Sequence, residues 1–192
     1  MISVVTENYR YCIDEIDRIL WVSELWLAFA QENGAPELTA SHVVGKSLWD
    51  FVAVEQLREL YSAVHAKVRE QGQPALIQFR CDSPWLRRHM RMTIRCLGSG
   101  HLMYTCVLLR TEPQDQLNLI DAQQPHSDEW VTLCSVCKRG LLESVGWLEA
   151  TDFATRLRLF ERSKLPQVRH KLCPNCAKSL GALATNGNAA SS

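Results

Sequence analysis

Two Cys-x-x-Cys pairs, Cys134-Ser-Val-Cys137 and Cys173-Pro-Asn-Cys176, carry the most specific chemistry in this 192-residue sequence. Each pair turns two soft thiolate donors toward one point, and two such turns supply the four ligands of a tetrahedral zinc ion. Four thiolates leave no open coordination position. The expected ion is therefore structural, and no metal-assisted catalysis is expected. Gly140 follows the first pair and would allow a tight turn there; Pro174 would stiffen the second. His170, three residues before Cys173, is a spare donor that we place outside the ligand set, either beside it or exposed. A redox motif needs only one Cys-x-x-Cys, in a βαβ setting that the pattern lacks. A thiol redox role stays as an alternative, and an iron–sulfur centre is a weaker one.

The elements that must position these thiols are only partly visible. Residues 138–172 separate the pairs, a longer insertion than a simple metal-binding ribbon uses, so this stretch needs structure of its own. Trp147 and Leu148 suit a short strand. Residues 151–162, with Phe153, Leu157, Leu159 and Phe160, read as a helix. So small a unit buries little core, and the metal would supply much of its folding free energy. Residues 129–181 hold nine Lys/Arg against five Asp/Glu, a net +4 within a chain of zero net charge. A basic module of this kind can contact phosphates, and a mixed solvated surface is the other reading.

The remaining cysteines, Cys12, Cys81, Cys96 and Cys106, are scattered and read as small buried hydrophobes. The first residues show no secretory pattern, and the apolar run at 19–30 is too short to cross a bilayer. We therefore expect a cytoplasmic protein with reduced thiols and no membrane partner. The hydrophobic fraction of 46% fits a packed domain. Residues 111–128 are polar and carry two prolines, the composition of a linker with a helical turn at 116–120. Residues 182–192 read as a disordered tail.

Residues 8–110 alternate between strand and helix patterns. Short strands at 10–14 and 18–22 lead to Ser23, an N-cap for a helix that places Leu25, Trp26 and Phe29 on one face and ends at Asn33-Gly34. Leu57, Leu60, Tyr61, Val64 and Val68 form the stripe of a longer helix, stopped at Gly72-Gln73-Pro74. Three strands follow, at 76–82, 89–97 and 101–110. Met90, Met92, Ile94 and Cys96 share one face of the second, and Gly98-Ser99-Gly100 makes the turn to the third.

This order, with RYCIDEIDRILWVSELW and VVGKSLWDFV at 10–26 and 43–52, resembles the PAS sensor domains. The resemblance implies an α+β fold: a five-stranded antiparallel sheet with helices on one face and space for a ligand between them. Trp21, Trp26, Trp49, Tyr61, Phe79, Ile94 and Tyr104 are the candidate lining, or simply the filling of a core. No flavin-attachment motif is present. Haem-binding members use a histidine on the long helix. His65 lies off the apolar stripe here, and we expect it to be exposed. The PAS ligand stays unknown.

The segment WVTLCSVCKR at 130–139, then Trp147, then RHKLCPNC at 169–176 resembles a C-terminal extension found on bacterial sensory proteins. Lys171 stands where that pattern often has glycine. The two resemblances imply a non-enzymatic bacterial sensory or regulatory protein. A PAS-like sensor at 8–110 would be coupled through 111–128 to a zinc-ribbon-like module at 129–181. Its expected partners are a signalling protein, a small-molecule ligand and a second copy of the chain. A nucleic-acid-binding regulator acting through the basic module is the alternative of a different class.

Overall fold

The computed structural model describes residues 8–83, 86–114 and 125–185. Alternation of apolar residues builds the first sheet from β1 (Asn8–Ile13), β2 (Ile19–Val22), β3 (Ala75–Arg80), β4 (Leu86–Cys96) and β5 (Leu102–Pro113). Its order is β2-β1-β5-β4-β3, and every neighbouring pair is antiparallel. Between β2 and β3 come α1 (Glu24–Glu32), α2 (Ala40–Val43), a 3-10 turn at Leu48–Phe51 and α3 (Glu55–Gln71). Ser23 caps α1 by accepting the Trp26 N–H at 3.2 Å. Gly72, left-handed at φ 66°, ends α3.

Met92, Ile94 and Tyr104 from the sheet pack against Val43, Leu48, Val64 and Val68 from the helical side. The helix face expected from Leu25, Trp26 and Phe29 is rotated. Leu25 is exposed, while Trp26, Leu27 and Ala30 turn to the core. Phe29 instead packs on the Tyr9 ring and under the Arg88 guanidinium.

The second sheet has four strands in the order β8-β7-β6-β9: β6 (His126–Cys134), β7 (Gly140–Leu142), β8 (Gly146–Leu148) and β9 (Leu165–Lys171). β6 and β9 run parallel. The connection between β8 and β9 holds α4 (Ala150–Arg156) and a 3-10 turn at Leu159–Glu161. The single helix expected over 151–162 is thus broken, because Arg158 adopts a left-handed conformation at φ 51°. Phe153, Ala154, Leu159 and Leu133 form the small core of this unit.

α5 (Pro174–Thr185) closes the described chain and lies along α3. Residues 182–185 belong to this helix, contrary to the tail expected from 182; residues 186–192 lie outside the described residues. The expected linker is also narrower than 111–128. β5 runs on to Pro113 and β6 starts at His126, since sheet pairing extends both strands. The helical turn expected at 116–120 lies outside the described residues.

The two units share one core. Cys134, Val136, Leu172, Cys173 and Leu180 belong to the same buried cluster as Ile13, Met92 and Tyr104. Among the described residues no helix is long and apolar enough to cross a membrane.

Candidate metal centre and the adjoining cavity

Parallel pairing of β6 and β9 brings the ends of both strands to one edge, with Cys134 opposite Lys171. Each knuckle starts there. In the first, Lys138 takes the left-handed conformation at φ 62° that closes the turn, and its N–H donates to the Cys134 carbonyl at 3.1 Å. Gly140, expected to serve that turn, has a different task. A Cβ at Gly140 would stand 2.2 Å from the Phe153 ring, so glycine is there to let α4 pack on β7. In the second knuckle Pro174 is the first residue of α5, where its missing N–H costs nothing. Cys173 thus sits at the N-terminus of α5.

The four sulfurs of Cys134, Cys137, Cys173 and Cys176 all lie within 4.8 Å of one another. The Cys137 and Cys173 sulfurs are 3.7 Å apart. A tetrahedron with metal–sulfur bonds of about 2.3 Å has edges of about 3.8 Å, so the donor set fits one ion. Backbone N–H groups also aim at the sulfurs: Cys173 N–H at Cys134 Sγ, 3.4 Å, and Cys176 N–H at Cys173 Sγ, 3.5 Å. Hydrogen bonds from the Cys137 and Cys176 thiols pull the Cys134 pKa far down. The same contact with Cys134 pushes Cys137 up to about 11 and Cys176 higher still. Four thiols this close cannot all ionise by themselves; a divalent cation removes that conflict. The four cysteines can hold a metal ion. His170 is exposed and outside the group.

The first knuckle reaches into the N-terminal unit. The Arg80 N–H, at the end of β3, donates to the Val136 carbonyl at 2.8 Å. The Arg80 guanidinium, buried, is paired with Asp82 and reaches Glu149 at 3.3 Å. Arg139 holds Glu149 from the other side at 2.8 Å. On the far side Lys67 of α3 donates to the Thr185 carbonyl, 2.7 Å, at the end of α5.

Beneath the knuckle is a cavity of about 270 Å³ between sheet and helices. Trp49, Tyr61, Phe79 and Tyr104 line it, as expected from sequence. The other three expected residues do not. Trp21 is exposed on the edge strand β2 beside Arg10, Trp26 packs into the core elsewhere, and Ile94 is fully buried within the core. Leu48, Val52, Leu57, Met92, Tyr11 and Cys106 also line it, together with Ser135 and Val136 of the four-cysteine module.

His65 is buried, contrary to the expectation of an exposed side chain. The Asp17 carboxylate lies 3.0 Å from its Nδ1, and Tyr104 Oη is bonded to its Nε2. The Trp49 ring leans against it at a tilt of 32°, with centroids 5.3 Å apart. Arg69 donates to the same Asp17 oxygen at 2.7 Å. Burial alone would raise the Asp17 pKa, but the bonds from His65 and Arg69 outweigh it and hold the carboxyl below its ordinary value. Both imidazole nitrogens are thus engaged within the protein. Their partners, Asp17 and Tyr104, are 48 and 39 residues away in sequence, a distance that no local pattern bridges.

A 2-1-5-4-3 antiparallel sheet, with short helices and one long helix enclosing a cavity on one face, decides the fold. The N-terminal unit is a PAS-like domain. No protein-family model matches the sequence, and no curated protein matches it. Among solved structures, the PAS domain of BvgS from Bordetella pertussis is similar: 18% identity, TM-score 0.41, covering 54% of this chain and 77% of that one. A sensory box sensor histidine kinase from Vibrio cholerae is similar at 8% identity, TM-score 0.39, covering 55% and 84%. In this chain the PAS-like domain carries a tight four-cysteine module docked on its core.

Proposed function

We propose that this chain is a non-enzymatic bacterial sensory or regulatory protein of the cytoplasm. The PAS-like domain senses, and a zinc ion on Cys134, Cys137, Cys173 and Cys176 fixes the module that passes the signal to a protein partner. The observation that carries this reading is the position of the knuckle. Val136, between two of the ligand cysteines, is buried in the core of the PAS-like domain. A bound zinc ion would act as a cross-link between the ends of β6 and β9, and closed four-thiolate coordination gives it no catalytic position.

Three of the module's nine basic residues are paired with its own acids: Arg139 with Glu149, Arg158 with Glu161 and Arg162 with Glu129. Cys106 is an unsuitable redox thiol, because burial pushes its pKa up to about 12 and leaves little thiolate at neutral pH.

The test is amide hydrogen exchange on the zinc-loaded protein and after chelation. Faster exchange in β3, α3 and α5 on metal removal, together with no turnover in insulin-reduction and ATP-hydrolysis assays, is the expected result. Exchange confined to 126–185, or turnover abolished by one Cys or His substitution, contradicts the reading. A shift of nucleic-acid mobility that weakens steeply with salt favours the nucleic-acid-binding alternative.

A further inference from the structure

We infer that the seam between the PAS-like unit and the four-cysteine module holds a binding site for a small organic anion with two or more carboxylate or phosphate groups. This site is separate from the space between sheet and helices.

A hollow of about 400 Å³ opens along the seam. Its walls are the ends of β3, β4 and β5 on one side, and the two knuckles with Glu149 on the other. It shares no lining residue with the cavity beneath the first knuckle, and no residue of α1, α2 or α3 reaches it. Arg87 of β4 spans the seam. Its guanidinium reaches Glu112 of β5 and the Thr151 hydroxyl of α4, each at 3.4 Å. A ligand held here touches both units at once.

Four arginines, Arg80, Arg87, Arg110 and Arg139, line the hollow against two carboxylates, Glu112 and Glu149. Arg80 is 8% exposed and engaged with Asp82 and Glu149, so it forms a fixed wall. The other arginines keep unused donors. Glu112 is divided between Arg87 at 3.4 Å and Arg110 at 3.1 Å, and Glu149 also serves Arg139 at 2.8 Å. Arg139 donates to it only through Nε, and Arg110 uses a single terminal nitrogen for both Glu112 and His89. Both terminal nitrogens of Arg139, and Nε and Nη1 of Arg110, have no hydrogen-bond partner among the described residues. The Arg110 side chain is 63% exposed and that of Arg139 36%, so a ligand can reach them.

Guanidinium forks take carboxylate or phosphate oxygens two at a time. One open fork stands on β5 and the other follows the first knuckle, so the matching ligand carries an anionic group at each end. A volume of about 400 Å³ holds roughly thirteen non-hydrogen atoms, at the ~30 Å³ that a water molecule takes in the liquid. Cys137 and Cys176 also line the hollow. Four thiolates and one divalent ion leave that cluster negative, which offsets the surplus of arginine over glutamate. Recognition then comes from directed donors and not from the net field, and lysine cannot stand in for arginine.

The test is calorimetry on the full chain as purified, with succinate, pyrophosphate, acetate and succinamide. Succinate or pyrophosphate should bind at one per chain, and the tighter of the two identifies the anionic group. Acetate, with one charge, and uncharged succinamide should each bind at least about tenfold more weakly. Arg110→Lys and Arg139→Lys keep the charge and lose the fork. Each should weaken binding about tenfold, the order of one lost hydrogen bond to a charged group. Arg91→Gln, exposed on β4 outside the hollow, should change nothing. Should a lysine variant lose zinc, Glu112→Gln decides. It removes the carboxylate that competes for Arg87 and Arg110 and should tighten binding, a direction that loss of structure does not produce. No saturable binding of succinate or pyrophosphate with a Kd below about 10 mM overturns the site. Acetate bound as tightly as succinate overturns the two-group ligand. Full binding by both lysine variants, or an equal loss in Arg91→Gln, overturns recognition by the forks. A chain that holds no zinc yet binds succinate refutes the metal reading and leaves this site standing; a zinc-loaded chain that binds neither anion does the reverse.

Discussion

Gly140 is the residue whose role differs most from its sequence context. Its neighbours suggest a metal-knuckle turn, yet what it provides is room for Phe153. Gly140→Ala should therefore destabilise the module by about 1–3 kcal/mol through overpacking, measured by chemical denaturation of zinc-loaded protein. An unchanged midpoint would return Gly140 to the turn. Asp17 makes a second prediction. Its pKa is lowered in the fold, so the stability it contributes is fully present above its unfolded value of about 3.9. That contribution is lost as pH falls through the folded value. Asp17→Asn should lower stability at pH 7 and flatten the acid limb below about pH 4. A limb identical to that of the unsubstituted protein would show that the His65–Asp17–Arg69 cluster adds nothing. Cys106 gives a third. With its thiol pushed up to about 12 by burial, it should resist iodoacetamide at pH 8 in the folded protein.

At the scale of elements, the sequence was most legible where one periodic pattern met one neighbour. Met90, Met92 and Ile94 alternate along β4 and are all buried. Ser23 caps α1, and the spacing of the four cysteines identifies the donors that the fold gathers. It was least legible where the partners are remote. Val64, His65 and Val68 of α3 face the sheet, and α5 lies along another side of the same helix. His65 follows Tyr61 by four residues and precedes Val68 by three, so it belongs to the stripe that faces the sheet; an imidazole reads as exposed until its remote partners Asp17 and Tyr104 are seen. The parallel pairing of β6 with β9 was also invisible, because the partners are more than thirty residues apart and share no local signal. α5 supplies the corresponding test. Leu180 is 2% exposed and belongs to the core shared with the PAS-like sheet. Leu180→Ala should cost about 2–5 kcal/mol, and its unfolding should remain a single transition that includes the first sheet. Two separated transitions would show that the units are energetically independent.

At the largest scale the described residues form one folded body, with a four-cysteine clamp set into the wall of the PAS-like unit. The Arg80 guanidinium joins the parts, since its partners Asp82 and Glu149 lie on the two sides of the junction. The central claim is that the four thiols hold one zinc ion whose knuckle completes the core of the PAS-like unit. Native mass spectrometry of the full chain tests it most directly, comparing the unsubstituted protein with the Cys134→Ser/Cys173→Ser double variant. One zinc per unsubstituted chain is expected, as four-thiolate coordination requires. The double variant should carry no zinc and give a broader, more highly charged ion distribution from its loosened core. Full zinc occupancy in the double variant, or a zinc-free unsubstituted protein that retains a compact fold, would contradict it.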